Sequence, residues 1–298
     1  MEVLVSKKNP LIKIIYGNTI KYYSVSFFTN ENNENNLIIC ISTQIGCMEK
    51  CAFCATGANP FIKNLTSEEI FRQVSDSLDI MKKTSIYENY LPSKIYVIFE
   101  GMGEASNNII NVLNATKQIY EMLQKENKKI IFRFSSVGNV HMKQAMINFF
   151  EENQYLKNSI KIEIKLSLHS PYDEERIFLC PNVSKKYSLK EIVYNFQELS
   201  KYFGTHLICN YMLLIYPNGL NNFTKKHLDE LARVTSGYKS VVWLTKYSET
   251  DKNFKSPSDE KYIEVCEYLY NYKHLKPIII ELLGEDVGAA CGMLDYKS

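Results

Sequence analysis

The stretch Cys47-Met48-Glu49-Lys50-Cys51-Ala52-Phe53-Cys54 spaces its cysteines as C-x3-C-x2-C. It follows residues 37–42, a short apolar run typical of a buried strand. Three thiolates on one loop are one ligand short of a closed four-ligand zinc or iron–sulfur site. The spacing therefore favours an iron–sulfur cluster with one iron open to an outside ligand. The alternative is a structural zinc site completed by a remote His or Cys.

From residue 37 onward, short apolar runs alternate with helical patterns, which is typical of an α/β fold with a parallel sheet. Six runs predict strands, at residues 37–42, 94–100, 129–135, 161–167, 206–214 and 240–245. A last strand, at 277–281, precedes a Gly-rich tail that we expect to be mobile. We expect an open sheet or a partial (β/α)6 barrel, with the site residues at the C-terminal ends of the strands.

The N-terminal part predicts a short β-hairpin extension. Residues 11–16 and 19–28 are rich in Ile, Val, Tyr and Phe, and Gly17-Asn18 lies between them as a two-residue turn. The polar run at 29–36 is expected to be an exposed loop. We therefore expect an extension over 1–36 and a core with the C-terminal tail over 37–298.

Three helix starts carry a local signal. Thr66 with Glu69, and Ser188 with Glu191, each fit a capping box. Ser256 before Pro257 fits an N-cap with proline in the first turn of a helix.

Composition excludes several classes of protein. The chain has 298 residues, 45% of them hydrophobic and 23% charged, which excludes a disordered chain. The net charge of +2 is too small to indicate nucleic-acid binding by itself. No apolar run has the length of a membrane span and no signal peptide is visible, so we expect a cytoplasmic protein. In that reducing compartment the 8 cysteines favour metal binding or catalysis.

The three-cysteine loop, with Phe53 before its last cysteine, resembles the radical S-adenosylmethionine (SAM) superfamily. Further motifs between about residues 20 and 294 resemble, in collinear order, the Cfr/RlmN family of radical SAM RNA-adenine C-methyltransferases. The matching segments are CISTQIGC at 40–47, CAFCATG at 51–57, NLT at 64–66, GMGEA at 101–105, SLHSP at 167–171 and AACG at 289–292.

The resemblance implies a partial radical SAM barrel with a 4Fe-4S cluster on Cys47, Cys51 and Cys54, and SAM bound at the open iron. It also implies that Cys291 takes a methyl group from SAM. A SAM-derived radical then abstracts a hydrogen atom from this S-methyl group, and the resulting methylene radical adds to the base. Cys40 then releases the product as a disulfide forms, which is covalent catalysis divided between two thiols. Carbon 2 or carbon 8 of adenine has no lone pair to attack a methyl sulfonium, which is why a radical route is needed.

The resemblance also nominates SAM contacts: Gly103, Glu104, Ser135, Ser167, Leu168, His169 and Ser248. Ser248 stands where the family has Asn. Tyr23 stands where the family has the Glu that removes the adenine proton, and a phenol is a poor base at neutral pH. The helical accessory domain that precedes the hairpin region in the family has no counterpart in the sequence.

For some residues a purely structural role is the alternative interpretation. A free cysteine is commonly a buried small hydrophobe, which is the alternative for Cys40 and Cys291, and His169 is alternatively a core histidine. Cys180, Cys209 and Cys266 match no motif and are interpreted as core or surface residues.

We expect a methyltransferase acting on adenine in RNA, with ribosomal RNA as the expected class and a flavodoxin or ferredoxin as electron donor. The alternatives are radical methylation of tRNA, a peptide or a small heteroaromatic, and a catalytically impaired family member.

Overall fold

The computed structural model describes residues 1–31, 33–250, 252–290 and 292–294. The strands are numbered in the order of the chain. They are β1 (Glu2–Val5), β2 (Leu11–Tyr16), β3 (Tyr22–Glu31), β4 (Glu34–Ile41), β5 (Gln44–Ile45), β6 (Lys63–Asn64), β7 (Lys94–Phe99), β8 (Lys129–Ser136), β9 (Lys161–Ser167), β10 (Leu207–Met212), β11 (Ser240–Thr245) and β12 (Pro277–Ile280).

The helices fill the connections between the parallel strands. They are α1 (Ser67–Lys82), α2 (Ser85–Asn89), α3 (Ile109–Leu123), α4 (His141–Glu152), α5 (Gln154–Ser159), α6 (Asp173–Leu179), α7 (Pro181–Ser184), α8 (Leu189–Tyr202), α9 (Lys225–Thr235) and α10 (Asp259–Lys273).

One sheet organises the molecule, in the order β1-β2-β3-β4-β7-β8-β9-β10-β11-β12. All strands from β4 to β12 in this sheet pair in parallel, and helices connect them. The first three strands extend the sheet antiparallel onto β4. The predicted α/β fold with a mostly parallel sheet is confirmed. Because parallel strands end at one edge, the loops that follow them meet there.

The packing of α1 illustrates how the sequence specifies an element. Thr66 and Glu69 form the predicted capping box. The buried side chains of α1, Ile70, Val74 and Leu78 among them, recur at helical spacing and join the main core. Gln73, fully buried on the same face, accepts from the Ser42 N–H and donates to the Ser42 carbonyl. These contacts hold the helix against the end of β4, next to the cysteine loop.

Three local predictions were wrong. The first hairpin connection is the five-residue segment 17–21 rather than a two-residue turn, because Tyr16 pairs with Tyr22. The polar run at 29–36 is the end of a hairpin instead of a loop, with Thr29 opposite Asn36. The N-cap position of the last helix is Ser258, two residues beyond the expected Ser256. In the first place the second strand begins three residues later than predicted, and in the second place strand pairing overrode a polar composition that is typical of turns.

The extension and the core share one sheet, so the division at residue 36 stays a prediction. In the described part of the chain, no helix has both the length and the apolar character needed to cross a membrane.

Candidate active site

The three-cysteine loop leaves β5 and lies beneath the loop after β7. The Gly46 N–H contacts the Met102 sulfur at 3.2 Å. Gly46 has a φ of +73°, and a Cβ there would meet the Pro60 carbonyl oxygen at 2.1 Å, so only glycine fits. Tyr247 donates to the Phe53 carbonyl at 2.8 Å. The loop is therefore held from both sides before any ligand binds.

The three cysteines of this loop are half-buried. Burial raises the pKa of Cys47 and of Cys54, and the hydrogen bond with Cys180, together with burial, raises the pKa of Cys51. Among the described side chains, no three Cys, His, Asp or Glu residues stand at metal-binding distances from one another. The donor chemistry nevertheless fits a cluster, because three half-buried thiols that interact electrostatically on one loop lose their protons when a metal binds them.

The loop after β7 brings backbone close to the cysteine loop. Gly103 has a φ of +100°, and a Cβ there would lie 2.5 Å from the Gln44 Cβ and 2.7 Å from its nitrogen. Glu104 donates its N–H to the Gln44 side chain at 2.9 Å. Its carboxylate accepts from the N–H groups of Ser106 and Val137, each at 3.1 Å, and burial raises its pKa. This carboxylate is fixed by the chain itself.

The other nominated SAM contacts lie at the C-terminal ends of strands, as expected. Ser135 is the penultimate residue of β8 and Ser167 is the last of β9. Ser135 donates to Glu100 at 2.7 Å, and Leu168 is fully buried. Ser248 follows β11 and donates to Glu285 in the tail at 3.2 Å.

His169 is held in a buried, strained position. Its φ is +54°, a conformation uncommon outside glycine, and its ring lies edge-on to Phe53, with centroids 5.0 Å apart. Nδ1 accepts from the Met212 N–H at 3.2 Å. Burial lowers the pKa of the ring to about 3, so it is neutral at physiological pH. It packs directly on the cysteine loop.

Tyr23 and Cys40 face the C-terminal tail. Tyr23 is fully buried in an apolar cluster with Met102 and Leu294, and Cys40 packs against the same cluster. The Lys13 ammonium lies 4.6 Å from the centroid of the Tyr23 ring and donates to the Gly288 carbonyl of the tail at 2.9 Å.

The tail is tied to the cysteine loop on the C-terminal side of Cys291. The Ala55 N–H donates to the Gly292 carbonyl, and the Thr56 hydroxyl donates to the Leu294 carbonyl, both at 3.0 Å. On the other side, Ala290 is buried. Cys291 itself lies outside the described residues, but its neighbours in the chain contact both the three-cysteine loop and the Cys40 cluster.

Two sets of residues near the site belong to no sequence motif and were therefore not predicted. The first is an ion-pair network inside the sheet, in which Glu100 contacts Lys165 at 2.7 Å and Arg133 at 4.0 Å. Burial acts to raise the pKa of Glu100, but Lys165 and Arg133 outweigh it and hold the pKa below its usual range. The second is Arg176 with Cys180, both fully buried near Cys51.

Known proteins similar to this chain place it in one family, although no protein-family model matches it. A probable dual-specificity RNA methyltransferase RlmN of Pseudothermotoga lettingae is 31% identical over 291 residues, covering 97% of this chain and 75% of that protein. The corresponding protein of Thermotoga petrophila is 31% identical over 281 residues, covering 94% and 73%.

Solved structures show the same fold. A radical SAM methyltransferase from Sphaerobacter thermophilus superposes with a TM-score of 0.78 at 22% identity, covering 98% of this chain and 80% of that one. A cysteine-to-serine variant of spore photoproduct lyase superposes with a TM-score of 0.51 at 13% identity, covering 81% and 76%. With relatives at 31% identity over nearly its whole length, the chain belongs to the Cfr/RlmN family and is a methyltransferase.

Proposed function

We propose that the protein methylates carbon 2 or carbon 8 of an adenine in RNA, with ribosomal RNA as the expected class, through a methylated Cys291. The curated relatives are named as RNA methyltransferases, which supports an RNA substrate. One observation carries the rest: the residues next to Cys291 bond to Ala55 and Thr56 beside the cluster cysteines, and the tail packs against Cys40.

In this proposal Cys47, Cys51 and Cys54 hold a 4Fe-4S cluster. Such a cluster would supply, with SAM bound, the electron that cleaves the sulfonium into a carbon-centred radical. A flavodoxin or ferredoxin provides the electron. The partial burial of the three cysteines supports this role, because limiting the access of water protects a radical from side reactions.

The proposed SAM site is formed by the loops after the strands. Gly103 lets backbone approach the ligand, Glu104 accepts from its amino group, and the remaining contacts are Ser135, Ser167, Leu168, His169 and Ser248. The neutral His169 ring offers a hydrogen bond without placing a second positive charge beside a sulfonium.

Cys291 carries the methyl group. Cys40 releases the product by forming a disulfide with Cys291. The apolar surroundings of Cys40 on β4 suit a thiol that acts only on a bound intermediate. Tyr23 is the candidate acceptor of the adenine proton, and the neighbouring Lys13 ammonium is the charge that would stabilise its phenolate.

Mass spectrometry tests the proposal in two steps. Anaerobically purified protein is expected to contain iron and sulfide and a methyl group on the Cys291 peptide. RNA from cells with the gene is then expected to contain 2-methyladenosine or 8-methyladenosine that is absent without it. A zinc-only, unmethylated protein would refute the chemistry, and a methylated Cys291 with unchanged RNA would refute the RNA substrate.

A further inference from the structure

Cys180 lies directly against one of the cluster cysteines. It is fully buried at the end of α6, and its sulfur is 3.6 Å from the Cys51 sulfur. The Ala52 N–H donates to the Leu179 carbonyl at 2.9 Å and so fixes the helix end to the cysteine loop. The two cysteines are 129 positions apart in the chain, and the fold brings their sulfurs into contact.

Arg176 lies one turn earlier on α6 and is also fully buried. One terminal nitrogen donates to the carbonyls of Ser167 and Leu168, and the other donates to the carbonyl of Val137. Its Nε has no hydrogen-bond partner, and its charge interacts with Cys51 and Cys180. In the described part of the chain no carboxylate lies within ion-pair distance of this guanidinium, although the charge of Asp173, on the same helix, also interacts with it.

Burying a guanidinium without an acidic partner costs free energy of folding. The position of Arg176 therefore indicates that a negatively charged group binds nearby. The three cluster thiolates are that group, since each brings a negative charge and reduction of a cluster adds one more. A positive charge and hydrogen bonds to the sulfurs both stabilise the reduced state of an iron–sulfur cluster.

We propose that Arg176 and Cys180 form an outer layer of the cluster site that raises its reduction potential. Arg176 is the counter-cation, and the Cys180 thiol donates a hydrogen bond to the Cys51 thiolate. The cluster accepts one electron from a one-electron carrier protein, and no covalent bond of Arg176 or Cys180 changes. The inference rests on the proposed function only in requiring that a cluster is present.

A potentiometric titration of the SAM-free protein, with dithionite as reductant and electron paramagnetic resonance of the reduced cluster as readout, tests this. Cys180→Val removes the thiol donor and is expected to shift the midpoint potential downward at unchanged iron content. Cys180→Ser retains a donor and should lie closer to the wild type. Cys209→Val, which removes a different buried thiol on β10, should leave the potential unchanged.

Arg176→Met is expected to shift the potential further downward, and Arg176→Lys should recover part of the shift. If Arg176→Met does not fold, because Arg176 also clamps three backbone carbonyls, the Cys180 variants decide. Equal potentials in the wild type and Cys180→Val would overturn the inference while leaving the proposed function intact. Loss of iron in Cys180→Val would overturn it too, by identifying Cys180 as a ligand. A wild type without any cluster would refute the proposed function itself.

Discussion

At the scale of single residues, Gly103 shows how a backbone position limits the site. A side chain at its φ of +100° would push into Gln44, including the Gln44 backbone nitrogen at 2.7 Å. We predict that Gly103→Ala lowers the free energy of unfolding by about 2–5 kcal/mol, because overpacking adds to backbone strain.

The matched control is Gly204→Ala, since Gly204 also has positive φ (+66°) but open space around a Cβ. It should cost about 1 kcal/mol, from strain alone. Urea unfolding of both variants measures the difference, and similar losses would argue against close contact at Gly103.

The buried His169 leads to a second prediction at the scale of residues, on how the free energy of unfolding changes as the pH falls. Its folded-state pKa of about 3 lies below the ordinary 6.5, so between these values only the unfolded chain takes up this proton. Stability is therefore lost as pH falls through that window, by up to about 1.4 kcal/mol per pH unit from this group.

We predict that His169→Asn flattens this acid limb, because Asn tolerates the same backbone conformation and cannot be protonated. Unfolding free energies between pH 7 and pH 4 check it, a range chosen around the ordinary histidine pKa of about 6.5. His206→Asn, at an exposed position, is the control and should keep the wild-type slope. An unchanged slope in His169→Asn would show that the ring is not buried in its neutral form.

At the scale of elements, the parallel strands were predictable and the edges were not. The β9 and β11 bounds match the runs at 161–167 and 240–245, because the apolar residues of each run recur at a spacing typical of a strand. Strand β1 has only four residues and is mostly exposed, and the hairpin around residues 29–36 is polar, so neither was predicted. Pairing with a neighbouring strand, which a single segment does not encode, decides such places.

Individual hydrogen bonds hold the tail to the rest of the molecule, and Thr56 makes one of them. We predict that Thr56→Val, which removes the hydrogen bond to the Leu294 carbonyl, makes cleavage within residues 289–294 about fivefold faster, because opening that segment costs about 1 kcal/mol less. Limited proteolysis with mass spectrometry of the fragments measures it.

Thr235→Val is the control for the tail prediction. Thr235 is equally buried, but its hydroxyl donates within α9 to the Leu231 carbonyl. Tail cleavage in this variant should equal that of the wild type. Unchanged cleavage in Thr56→Val would mean that this bond does not secure the tail.

At the scale of the whole molecule, sequence motifs and spatial contacts contribute different parts of the site. The cysteine loop, the glycine loop after β7 and the strand-end residues are readable because each lies within one short segment. The contact of Cys180 with Cys51 and the burial of Arg176 join distant segments and leave no local pattern. Sequence motifs therefore predict the residues proposed to react, while the residues that surround them are identified only in the folded structure.

The central claim is that two thiols divide the reaction, with Cys291 carrying the carbon and Cys40 releasing the product. Without Cys40, the intermediate that links Cys291 to RNA should persist. Cys40→Ala, expressed with iron and SAM available, is therefore predicted to purify with a covalently attached, nuclease-sensitive RNA fragment. The wild type and the double variant Cys40→Ala/Cys291→Ala should lack it. The decisive measurement is the intact mass of these three proteins after nuclease digestion: a nucleotide adduct in Cys40→Ala alone supports the account, and a cluster-loaded Cys40→Ala protein without any adduct contradicts it.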